Sequence, residues 1–132
     1  RPLVIGDRFD TDIEGAVRAG YDSLFVLTGV GTAADLLTVA PDVRPRYVTD
    51  SATDLVAPYP EIEFADGRAR CREWVAAVDG EVLRLGGAGE LIDALRALCA
   101  AAWRGAYPLE LNVTADGADA AGALQALGLW DR

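Results

Sequence analysis

The chain has 132 residues, 52% of them apolar, and a formal net charge of −9. That apolar share excludes a disordered chain, and the length limits it to one ordinary domain or two small units. The acidic balance argues against nucleic acid or an anionic membrane surface as partner, since each needs a basic face, and no apolar run approaches the ~20 residues of a membrane span.

Leu3-Val4-Ile5 followed by Gly6 reads as the end of a buried strand. Thr11 and Glu14 have capping-box spacing and open a helix predicted to run to about Ala19, with Gly20 in the left-handed closing position. "SLFVL" (23–27) is a continuous apolar run, as in a strand buried on both faces, so strand, helix and strand form a βαβ unit with parallel strands and a right-handed crossover. Thr32 caps a further helix in "TAADLLTVA" (32–40), Pro41 and Pro45 interrupt the chain, "RYVTD" (46–50) gives a short strand, and "SATDLV" (51–56) a last helical turn. The texture changes near Pro58 and Pro60, which divides the chain into residues 1–57 and 61–132.

Beyond that boundary the pattern is antiparallel. "CREWVAAV" (71–78) and "EVLRL" (81–85) flank Asp79-Gly80, a two-residue turn of the type I′ hairpin. "GELIDALRALCAAAW" (89–103) is an amphipathic helix with Leu91, Leu95, Leu98 and Ala102 on one stripe, and its Ala-rich stretch 97–102 implies close packing against the first half. "LELNV" (109–113) reads as a strand and "GADAAGALQALG" (117–128) as a helix ending at Gly128. Cys71 and Cys99, far apart in a chain without histidine, are expected to be buried thiols, and Trp74, Trp103 and Trp130 core or interface aromatics.

The chemistry sits in the acidic turn. Asp7, Asp10 and Asp12 repel one another unless a cation sits among them. In a parallel sheet ligands gather at the carboxyl ends of strands, and Mg²⁺ takes hard oxygen donors while keeping several waters. Asp7 and Asp12 are therefore the candidate metal pair, one binding directly and the other holding a metal-bound water. Capping accounts for Asp10 and Asp12 equally well, because carboxylates suit the positive end of a helix, and spacing leaves both readings open.

The strings "GDRFDTDIEGA" (6–16), "AGYDSLFVLTGVGTAADL" (19–36) and "RPRYVTDSATDLV" (44–56) resemble the C-terminal end of a haloacid dehalogenase (HAD)-superfamily phosphatase of the NagD-like branch, which includes sugar and glycerol phosphate phosphatases. The resemblance covers residues 2 to about 57 without a gap. It implies a Mg²⁺-dependent phosphatase working through an aspartyl-phosphate. Asp7 matches the family's fourth-motif metal ligand, Asp12 the second acid of that motif, Gly6 the glycine that turns the loop towards the metal, and Thr11 the helix cap. The family's D-x-D-G-T nucleophile string is not in this sequence, and no lysine is present to neutralise phosphate, so no catalytic residue is assigned within the chain. With no methionine either, the chain is read as part of a longer protein that packs against the remaining, N-terminal part of the core and does not hydrolyse anything by itself.

In the second half, "RLGGAG" (84–89) before a helix, and the strand, loop and helix of residues 109–130, resemble the second half of a GNAT acetyltransferase. In that family the glycine-rich loop offers backbone N–H groups at a helix N-terminus to the pyrophosphate of coenzyme A. The resemblance implies Arg84, Gly87 and Gly89 as a phosphate or cofactor loop, although a strand end and glycine-rich turn account for them more simply. Leu124 stands where the family has its tyrosine, which points to a structural or regulatory role.

The expected fold class is α/β, the C-terminal portion of a Rossmann-like parallel-sheet HAD core (1–57) with a small α+β GNAT-like domain (61–132). The expected function is that of a fragment of a cytoplasmic Mg²⁺-dependent phosphomonoester hydrolase acting on a small phosphate ester such as glycerol 3-phosphate, with no nucleic-acid or membrane partner and homo-oligomerisation left open. The alternative is a non-catalytic ligand-sensing or interaction module, in which the acidic loop only caps a helix and the second half is a degenerate acetyl-CoA-type fold.

Overall fold

The computed structural model describes residues 3–27, 32–50, 58–105 and 107–129; the 51–56 turn and Trp130 lie outside them. Strand β1 (Leu3–Gly6) leads through a π-helical turn (Phe9–Ile13) into helix α1 (Glu14–Ala19) and then strand β2 (Asp22–Val26). Helix α2 (Ala33–Thr38) and a 3-10 turn (Pro41–Val43) precede strand β3 (Tyr47–Thr49). The three strands form a parallel sheet in the order β1-β2-β3. Its middle strand buries Ser23, Leu24 and Phe25 in succession, which is why its sequence shows no alternation.

The first helical path starts earlier than Thr11. It begins at Phe9, no side chain caps it, and Thr11 lies exposed inside the π turn. The Arg8 carbonyl instead accepts from the N–H groups of both Asp12 and Ile13, each at 3.2 Å. The capping box belongs to α2, where Asp35 N–H donates to Thr32 Oγ1 at 3.2 Å and Thr32 N–H to Asp35 Oδ2 at 3.4 Å. Gly20 does close α1 from the left-handed region, at φ +77°, with Tyr21 N–H reaching Ala16 O at 2.9 Å.

The second sheet runs β4 (Ile62–Ala65), β5 (Arg68–Cys71), β6 (Trp74–Asp79), β7 (Val82–Gly87) and β8 (Val113–Asp116), antiparallel up to β7 and parallel between β7 and β8. Residues 71–78 are not one strand: Arg72, at φ +55°, and Glu73 turn the chain so that Cys71 faces Trp74. The expected type I′ turn is also displaced. Asp79 pairs with Val82, the loop is Gly80-Glu81, and only Gly80 of the two takes positive φ, as in type II′. Type I′ signs occur at Asp66-Gly67 (φ +54° and +76°), between β4 and β5. Strand β8 starts at Val113, later than the 109–113 run implied, and Asn112 O accepts from Leu83 N–H at 2.8 Å on the approach.

Helix α3 (Leu91–Arg104) lies on β5, β6 and β7, and helix α4 (Ala118–Ala126) against β7 and β8. Leu95, Leu98 and Ala102 are buried as the stripe requires, whereas Leu91 is 37% exposed at the helix start. Helix α2 packs against α3, while Ala97, Ala101 and Ala102 are buried along α3. Across this contact Trp103 Nε1–H donates to Leu36 O at 3.2 Å and Arg44 Nη1–H to Trp103 O at 3.2 Å. One buried cluster accordingly runs from Phe25 and Leu36 through Leu95 and Leu98 to Trp74, Leu85 and Leu124. Each large aliphatic side chain in it contributes about 1.5–3 kcal/mol by leaving water.

Candidate functional site

Gly6 ends β1, and half-buried Asp7 follows at the carboxyl end of the parallel sheet. The π turn then brings the chain back: a Cβ placed on Gly6 would overlap the side chain of Asp12. Glycine is thus required at position 6, next to Asp7 in the chain, because the Asp12 side chain lies over it. Single π turns recur at functional sites because the wider turn re-aims a side chain. The turn is anchored by Phe9, whose ring stacks on that of Phe25 in β2 with centroids 4.4 Å apart and planes 8° from parallel. An apolar residue set among acids was the signal for Phe9 in the sequence.

Asp10 is exposed, its carboxylate 3.8 Å from Arg8 Nε. A surface pair of that kind contributes little. Two hard oxygen donors, from Asp7 and Asp12, suit Mg²⁺ but do not complete its coordination sphere. Among the described residues no group of three or more His, Cys, Asp or Glu side chains could hold a metal ion.

Arg84 faces solvent on β7 and donates to Asp116 Oδ1 of β8 at 2.7 Å. Gly87 has φ +109°, and a Cβ there would overlap the Glu73 carbonyl oxygen. Gly89, at φ +131°, faces Trp74, whose Nε1 would stand 3.1 Å from an added Cβ and donates to Glu90 O at 2.9 Å. A pocket of about 320 Å³ between this turn and α4 is lined by Trp74, Gly89, Leu91, Asp119 and Gly122 among others. Leu124 is fully buried in the core.

A buried polar cluster joins the two sheets, and the sequence carried no spacing signal for it. Asp93, on α3, accepts from Arg96 Nη1 at 2.9 Å, Arg72 Nη1 at 3.2 Å and Cys71 Sγ at 3.5 Å. Burial, and then the Asp93 charge, push the Cys71 thiol up to about 12. Burial also raises the Cys99 thiol and the Tyr59 phenol; for Tyr59 its bond to Val48 and the Arg96 charge oppose the shift. Both cysteines are free and buried.

Residues 1–55 match the HAD-hydrolase-like family model, and residues 71–129 the GCN5-related N-acetyltransferase-like domain model. The D-glycerol 3-phosphate phosphatase of Mycobacterium tuberculosis is 38% identical over 111 residues, covering 76% of this chain and 30% of that protein. Phosphoglycolate phosphatase 2 of Arabidopsis thaliana is 39% identical over 56 residues, 42% of this chain and 19% of its own length. A crystal structure of a glycerol phosphate phosphatase from Mycobacterium tuberculosis in complex with magnesium superposes with a TM-score of 0.80 at 32% identity, over 97% of this chain and 37% of the solved one. The chain therefore spans about a third of the length of the glycerol phosphate phosphatases that it matches. Residues 1–55 are thus similar to the haloacid dehalogenase-like hydrolases, and residues 71–129 to the GCN5-related N-acetyltransferase-like domains.

Proposed function

We propose that the complete protein is a Mg²⁺-dependent phosphomonoester hydrolase of small phosphate esters, glycerol phosphate first among them, to which this chain contributes part of the metal site. The observation that carries this reading is the return of Asp12 over Gly6, next to Asp7 in the chain, in a protein whose solved relative, a glycerol phosphate phosphatase, is in complex with magnesium. Asp7 would hold the ion directly and Asp12 a water bound to it. When bound, Mg²⁺ offsets the negative charge of the phosphate ester and orients it. Gly6 keeps the space that Asp12 occupies, and the Phe9–Phe25 stack fixes the turn from which Asp12 projects.

The nucleophilic aspartate and the phosphate-neutralising lysine are contributed from outside these 132 residues, so the chain by itself is inactive. Strand β1 leaves Leu3 42% and Ile5 46% exposed at a sheet edge, which supports the rest of the core covering them. The division into residues 1–57 of the hydrolase core and 61–132 of the GNAT-like domain follows the same reading. In the second unit Gly87 and Gly89 serve the close approach of Glu73 and Trp74, and Arg84 serves its pair with Asp116. The test is Asp7→Asn in the full-length protein with glycerol 3-phosphate and Mg²⁺. Turnover and Mg²⁺ affinity should both drop while the fold is kept. Unchanged kinetics would refute the metal role, and a full-length protein without phosphatase activity would leave the binding-module alternative.

A further inference from the structure

Strand β3 forms an edge of the first sheet, where its partner is β2. In a parallel pair every second residue of an edge strand aims both its N–H and its C=O away from the neighbouring strand, and such groups need partners when buried. Val48 is that residue. It is 3% exposed, and beside it Thr49 bonds inward, its carbonyl accepting from Leu27 N–H at 2.8 Å. The outward groups of Val48 are met from beyond the strand: its N–H donates to Tyr59 Oη at 2.9 Å, and its C=O accepts from Arg96 Nε at 2.8 Å. The two side chains brace one another, the guanidinium carbon lying 4.5 Å from the centre of the Tyr59 ring. Arg96 is held in turn by Asp93.

We propose that Tyr59 and Arg96 stand in for a fourth strand at this edge, so that the GNAT-like unit and the segment leading to it close the hydrolase sheet and hold it in position. One donor and one acceptor, set on a rigid helix and on the connecting segment, reproduce what a neighbouring strand residue would offer. A tethered ligand-binding module would need no such bonds. The unit is then a positioning element: Val48 lies in register with Phe25, and Phe25 carries the ring of Phe9, which opens the turn bearing Asp12.

The edge-closing role does not rest on the metal reading, and its test reads the backbone directly by amide exchange and ¹⁵N resonances in the full-length protein. Tyr59→Phe removes the acceptor of the Val48 amide, together with the hydroxyl's bond to Arg96, and keeps the ring beneath the guanidinium. Val48 exchange should rise about tenfold or more, while the amides of Leu24 and Phe25 in the central strand keep their protection, as local opening requires. Arg96→Lys keeps the charge beside Asp93 but loses the Nε donor, so the Thr49 amide nitrogen, bonded to the Val48 carbonyl carbon, should shift its resonance. Unchanged Val48 exchange in Tyr59→Phe would overturn the proposal. So would an acceleration shared equally by all three strands, which would make Tyr59 a general stabiliser.

Discussion

Arg96 and Asp93, one turn apart on α3, form an ion pair at 2.9 Å with their side chains only 8% and 3% exposed. Neither charge can be solvated there, so each depends on the other and on Val48 O, Arg72 and Cys71 around them. Breaking a buried pair from one side costs about 3–5 kcal/mol, whereas replacing both partners with apolar residues of similar size can be nearly neutral. Asp93→Leu should therefore lower the urea midpoint strongly, and Asp93→Leu with Arg96→Met should recover only part of the loss, because Val48 O then lacks its donor. A single variant within about 1 kcal/mol of wild type would mean that water reaches the pair.

The thiols make alkaline stability a second test. In the unfolded chain Cys71 ionises near the ordinary thiol value of 9.0, and in the folded protein burial and Asp93 push it up to about 12. Between those values the unfolded chain binds fewer protons than the native one, so stability is fully present below pH 9 and falls as pH rises towards 12. Cys99 and Tyr59 shift in the same direction and deepen the fall. Urea midpoints should decline from pH 9 upwards, and Cys71→Ala should make that decline shallower. At pH 8 both cysteines should resist a thiol reagent until the protein is unfolded, since the thiolate is the reactive form.

Periodicity and punctuation made much of this architecture legible before any coordinates. The apolar run at β2, Gly20 at the end of α1, the Thr32 cap and the α3 stripe each follow from a local rule, and each lies where the rule puts it apart from Leu91, which is exposed at the start of α3. What was missed is non-local. Arg72 in a left-handed conformation splits the 71–78 run because Cys71 must face Trp74 across a tight turn. Asp-Gly fits a type I′ turn at both 66–67 and 79–80, and strand register chose the first. Tyr59, Asp93 and Arg96 are far apart or unremarkable in sequence, and only the packing of α3 beside β3 brings them to Val48.

The glycine-rich turn separates packing from ligand binding by mutation. Gly87 combines φ +109° with a backbone oxygen where a Cβ would go, whereas Gly80, at φ +64°, has open space around it. Gly87→Ala should cost at least about 2 kcal/mol, from the sparsely populated conformation and the overlap with Glu73 O, neither of which a side-chain movement relieves. Gly80→Ala should cost about 1 kcal/mol, the left-handed penalty alone. Calorimetry with acetyl-CoA should give no heat, as expected of a turn whose space is taken by Trp74. Heat in the wild type that Gly87→Ala abolishes would instead restore the cofactor reading.

Gly6→Ala separates the metal site from the fold. The backbone at Gly6 is not in the left-handed region, so alanine adds no dihedral strain, but its Cβ would overlap the Asp12 side chain and force the π turn outwards. The turn lies at the edge of the core, and such a change should cost about 1 kcal/mol in stability, within the ordinary range for a single substitution. Its effect on function should be larger. If Asp12 holds a metal-bound water, displacing it resembles the loss of an outer-shell partner, which typically lowers metal affinity or activity about 10–100-fold. The full-length variant should therefore melt close to wild type while needing more Mg²⁺ and turning over glycerol 3-phosphate more slowly, and Asp12→Asn should reproduce this pattern. A Gly6→Ala protein with normal Mg²⁺ dependence would take Asp12 out of the metal site, since a metal-bound water does not tolerate a shifted turn.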